Sequence, residues 1–107
     1  MTQKSKYRPP NDVVSPKLHW NLIAVLDEGT EDDSALAIGR WDGDLVLAMR
    51  WNGNAKNPIG NPQSRGLPTW FIVPKKYRED ILQNKGLASD KVMLARGFFP
   101  KPTKDIS

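Results

Sequence analysis

Asp42-Gly43 lies between two alternating runs, Ser34 to Trp41 and Asp44 to Trp51. A two-residue link of this kind closes a β-hairpin through a type I′ turn, because both central residues take positive φ. The turn fixes the register. Trp41 opposes Asp44, Arg40 opposes Leu45, Ile38 opposes Leu47 and Leu36 opposes Met49. Cross-strand partners share a face. One face therefore collects Leu36, Ile38, Leu45, Leu47 and Met49. The other collects Ala35, Ala37, Gly39, Val46 and Ala48, with Arg50 at its end. A slip of one residue would mix the large and small sets, so the pairing is internally consistent. The small-residue face would admit a close-packed helix or another stretch of backbone.

The rest of the chain is read around this hairpin. From Leu18 to Leu26, Leu18, Trp20, Leu22, Ala24 and Leu26 would share one face, and Ile23 and Val25 the other. Both faces are partly apolar, which suggests an inner strand. Asp27 to Asp33 forms an acidic turn around Gly29. Thr69 to Val73 is a short β-rich run, and Pro74 suits a first helical position. Lys75 to Lys85 predicts a helix with Tyr77, Ile81 and Leu82 inward and Lys75, Lys76, Arg78 and Glu79 outward. Gly86 stops it.

Residues 89–97 support two readings. Ser89 and Gly97 fit the ends of a short helix. Val92, Leu94, Arg96 and Phe98 also alternate as in a strand. The strand is preferred, because Phe98-Phe99 needs a core and the body otherwise has few strands. The expected fold class is α+β, an antiparallel β-meander of about four or five strands with one clear helix, residues about 75–85, packed on the sheet. Residues 1–16, with Pro9, Pro10, Pro16 and Lys4, Lys6 and Arg8, read as a flexible basic arm on which Val13 and Val14 could dock. Residues 17–99 form a single compact domain, and residues 100–107 a flexible tail.

Composition removes several functions. The 107 residues contain no Cys and one His. Disulfides, thiolate zinc sites, iron–sulfur clusters and multi-histidine metal sites are thereby excluded. The longest apolar run, Leu22 to Leu26, is far short of the roughly 20 residues of a spanning helix, so no membrane partner is expected. Met1 to Pro10 is polar and basic and does not read as a secretory signal. With the missing cysteines this leads to an expected cytoplasmic location. No cofactor is expected.

The charge is +4, from 16 Lys and Arg against 12 Asp and Glu. It is segregated. Asp27, Glu28, Glu31, Asp32 and Asp33 fall within seven residues, and without them 16 basic residues face 7 acidic ones, a net of +9. Such a surface attracts nucleic acid or other polyanions, and it also keeps a small protein soluble.

Asn52 to Pro68 is a 17-residue stretch without periodicity. Loops of this length in compact domains are usually functional or disordered. Its Gly53, Gly60 and Gly66 would let a ligand approach the backbone. The expected binding residues are Arg50, Trp51, Asn52, Asn54, Lys56, Asn57, Gln63, Ser64, Arg65 and Trp70: amide, hydroxyl and cationic groups beside indole rings, suited to a phosphate, a sugar or a splayed base. The competing reading is an ordered Ω-loop whose Asn and Gly residues only satisfy turn geometry. The loop is neither a Walker loop nor a dinucleotide fingerprint. Of the four tryptophans, Trp20 and Trp70 are expected in the core, and Trp41 and Trp51 partly exposed.

No catalytic residue is assigned. His19 as a general base would need a second group. Asp42 and Asp44 are the nearest acids of the hairpin, but nothing in the sequence brings them to His19. The acidic stretch lacks the spacing of a calcium loop and reads as a solvated turn. Three functions fit these residues. The first is a small non-enzymatic binding module whose partner is nucleic acid. The second is a protein-interaction or homo-oligomer-forming domain, with self as a partner in a homodimer, because one helix cannot cover both faces of a sheet. The third is a small enzyme on phosphate-bearing or glycosidic substrates that uses the loop with His19.

Overall fold

The computed structural model describes residues 7–101. The order is a short 3-10 turn at Pro10–Asp12, then β1 (Trp20–Asp27), β2 (Ser34–Trp41), β3 (Asp44–Trp51), β4 (Gln63–Ser64), β5 (Leu67–Pro68), β6 (Phe71–Ile72), α1 (Lys75–Asn84) and α2 (Ser89–Phe98). Strands β1-β2-β3-β6 form one four-stranded antiparallel sheet, and β4-β5 a separate small hairpin. The fold is α+β, with two helices rather than one.

The β2–β3 hairpin has the register its sequence dictates, from Ser34↔Trp51 through Ile38↔Leu47 to Trp41↔Asp44. Asp42 and Gly43 take φ of 50° and 89°, as a type I′ turn requires. The large-residue face packs under the helices. Leu36, Ile38 and Leu47 are buried there with Leu26, Val73, Leu82, Ala95 and Phe99. The small-residue face receives indole rings instead. Ala35, Ala37 and Ala48 pack with Val13, Trp20, Val25 and Trp70. The Trp20 ring lies so close over Gly39 that a Cβ at that position would collide with it. Each face of the sheet therefore carries a packed core from within the chain, so the expectation that a single helix would leave one face bare does not apply.

The alternation expected from Leu18 to Leu26 does not hold. Register shifts fall between Leu22 and Ala24 and between Val25 and Asp27. Such bulges turn successive residues onto different faces. Ile23 and Leu26 join the helix-side core, while Trp20, Leu22 and Val25 join the other. Leu18 precedes the strand and is exposed.

The strand preferred for residues 89–97 is corrected to α2. Lys91, Ala95, Phe98 and Phe99 turn inward at helical spacing, and the alternating Val92 and Leu94 lie on the exposed side with Met93. Lys91, Met93, Leu94, Ala95 and Arg96 are strong helix formers, and that preference outweighs the alternation. Ser89 is the first helical residue rather than its cap. Ala88 precedes it, and its carbonyl accepts from the Lys91 and Val92 amides. In α1, Leu82 is buried and Ile81 half-buried as expected, but Tyr77 is exposed. Arg78 does not face away: its guanidinium sits 4.1 Å from the Phe99 ring centre. Glu79 reaches α2 through a two-pronged pair with Arg96, both N···O distances 2.7 Å.

Within the stretch read as an arm, Lys4 and Lys6 lie outside the described residues, as do 102–107 of the tail. Val13 is fully buried and its carbonyl accepts the Trp70 indole N–H at 2.7 Å. The amide of Arg8 donates to the Pro58 carbonyl at 2.7 Å. The compact body thus reaches back before residue 17. Among the described residues no helix is long and apolar enough to cross a membrane.

Candidate functional site

Alternation along β3 puts Arg50 on the small-residue face, where it ends up 2% exposed. Its two terminal nitrogens donate to the carbonyls of Thr69 and Ile59, and its charge lies 6.0 Å from the Trp70 ring centre. Among the described residues no carboxylate pairs with it. Burial, with Arg8 nearby, pushes its pKa down to about 10, so it remains a cation at neutral pH. Arg50 therefore ties loop to sheet from inside. Trp70 is buried beside it.

The near half of the loop is committed to the acidic turn. Asn52 is 3% exposed, and its side-chain amide donates to the carbonyls of Glu28 and Thr30 at 2.8 and 2.9 Å. The Asn52 amide donates to the Asp33 carbonyl, and that of Asp32 to the Gly53 carbonyl. Asn54 donates to the Asp32 carboxylate at 2.7 Å, and its own side-chain oxygen accepts the amides of Lys56 and Asn57. Gln63 donates to the Asn57 side chain and the Gly60 carbonyl, both at 2.8 Å. Asn54, Asn57 and Gln63 thus hold the loop's shape. Lys56 is exposed, and its backbone amide donates to the side chain of Asn54, which in turn bonds Asp32.

The far half differs. Arg65 and Gly66, at φ 53° and 78°, turn the β4–β5 hairpin, and Ser64 ends β4. Ser64 and Arg65 line a cleft of about 800 Å³ with Ser15, Pro16, Lys17, Leu18, His19, Leu67 and Thr69. Lys17, His19 and Arg65 share it with three hydroxyl-bearing residues, Ser15, Ser64 and Thr69, and among the described residues no Asp or Glu is part of its lining.

His19 is placed here by the hairpin turn. The Asp42 amide donates to the His19 carbonyl at 2.8 Å. The Asp42 carboxylate lies 2.7 Å from His19 Nδ1, and Trp41 stacks on the ring with centres 5.4 Å apart. Lys17, His19, Ser15 and Thr69 were not among the residues expected to bind. Of these, the sequence singles out His19 alone, as a base in need of a second group, and its partner Asp42 lies 23 residues away, where no local pattern points.

Trp51, 59% exposed, marks a separate place. With Met49, Pro62 and Phe71 it walls a groove of about 430 Å³ on the helix side of the sheet. The ten expected binding residues are therefore not gathered into one site. Arg50, Asn52 and Trp70 are buried, Asn54, Asn57 and Gln63 bond within the chain, and Ser64 and Arg65 reach the cleft. Compared with protein families, curated proteins and solved structures, the chain matches none.

Proposed function

We propose that this chain is a nucleic-acid-binding module that holds a phosphate backbone in the cleft between residues 15–19 and the β4–β5 hairpin. The observation that carries this is the lining: two cations, Lys17 and Arg65, and three hydroxyl-bearing residues share one cleft, and the carboxylate beside it, Asp42, is engaged by His19. Cations supply most of the affinity for a phosphate backbone, and hydroxyls fix its position. The acidic turn supports the same placement, because it sits against residues 52–54 at the other end of the loop. Exposed Leu18 and Leu67 on the rim offer apolar surface to bases or sugars.

The test is a fluorescence-anisotropy titration with a short labelled single-stranded oligonucleotide. Lys17→Gln and Arg65→Asn each weaken binding several-fold; Asn is chosen at 65 because it tolerates positive φ. Equal affinity of both variants and the natural chain would place binding elsewhere.

A further inference from the structure

His19 adds a feature that binding alone does not use. A carboxylate oxygen of Asp42 faces Nδ1 at 2.7 Å. The carboxylate accepts, so Nδ1 carries the hydrogen and the neutral ring keeps its lone pair on Nε2. Trp41 supports one face of the ring, and the Asp42-to-His19 backbone bond fixes the segment beneath it. Among the described residues no group is hydrogen-bonded to Nε2. A histidine oriented by a carboxylate, with its second nitrogen unused and cations beside it, is the arrangement of a general base near a phosphate.

Such a base needs a nucleophile. Ser15, Ser64 and Thr69 share the cleft, but none is hydrogen-bonded to His19. The chain supplies a base without an activated hydroxyl of its own. RNA brings one, the 2′-hydroxyl next to each phosphate, which DNA lacks. Resting on the binding reading above, we propose that the cleft cleaves single-stranded RNA by transphosphorylation, with His19 as the base.

His19 Nε2 removes the proton of the 2′-hydroxyl. The 2′-oxygen forms a bond to the adjacent phosphorus, and the phosphorus–O5′ bond breaks. The proton on Nε2 is delivered to the departing O5′, directly or through water. The products are a 2′,3′-cyclic phosphate and a 5′-hydroxyl end, and no oxidant or co-reactant is consumed. Lys17 and Arg65 balance the charge that builds on the phosphoryl oxygens. Asp42 is a positioning residue: it sets the tautomer and steadies the imidazolium that forms.

The full chain is incubated with an end-labelled single-stranded RNA and with DNA of the same sequence, and binding and cleavage are read separately. The expected result is binding of both, and cleavage of RNA alone to cyclic-phosphate ends. His19→Gln slows cleavage by about 100-fold or more while affinity falls far less, the usual scale for a lost general base. Asp42→Asn, which keeps a residue suited to the turn, lowers kcat by about tenfold or more with KM little changed. RNA bound but left intact overturns this inference and spares the binding reading. So does His19→Gln cleaving as fast as the natural chain. No binding of either strand overturns both.

Discussion

Arg50 carries its charge into a layer of small residues and indole rings where, among the described residues, no carboxylate meets it. Its planar fork satisfies two loop carbonyls at once, those of Ile59 and Thr69. A lysine has one ammonium and no fork. Arg50→Lys is therefore expected to lower stability by about 2 kcal/mol, on the scale of a charged buried hydrogen bond. Urea unfolding checks this, and an unchanged midpoint would show that the fork carries no load. Arg50, Asn52 and Trp70 look the same in sequence as Ser64 and Arg65: polar, cationic or aromatic residues in or beside an irregular loop. What separates them is contact with residues 9 to 57 positions away, which no local pattern records. His19 met its partner Asp42 by the same long-range route.

At the scale of elements, local rules worked where geometry is local. The Asp-Gly turn sets its own φ values and with them the whole β2–β3 register. It also separates large from small residues, and the small face then receives Trp20 and Trp70. Gly39 is the contact point. Gly39→Ala should cost about 1–3 kcal/mol, the range for overpacking a filled core. A thermal melt reads the loss, and an unshifted melt would mean that the Trp20 ring moves aside freely. Alternation failed in β1, where bulges reassign faces, and in α2, where an exposed apolar side imitates a strand. The two helices are tied by Glu79 and Arg96. The hydrogen bonds from Arg96, with Gln83 assisting, pull the Glu79 pKa from its ordinary 4.5 down to about 2. A depressed acid contributes fully above its unfolded value and loses that contribution as the pH falls through its folded one. Glu79→Gln should therefore lower the melting temperature at pH 7, and the gap to the natural chain should narrow from about pH 4.5 toward pH 2. A gap that stays constant across that window would assign the effect to packing instead.

Over the whole molecule, charge is sorted by the fold. The acidic turn is clamped to the near end of the 52–68 segment, and the far end opens beside Lys17 and His19. The sequence showed that the acids were clustered, but not which end of the loop they would occupy. The measurement that tests the binding account most directly is the salt dependence of oligonucleotide affinity. For a single strand, log K falls with log salt by about 0.7 per phosphate neutralised, so two cations in the cleft predict a slope of about −1.4. Arg65→Asn should bring that slope to about −0.7. Affinity that ignores salt, or a slope that Arg65→Asn leaves unchanged, would contradict a phosphate backbone held in this cleft.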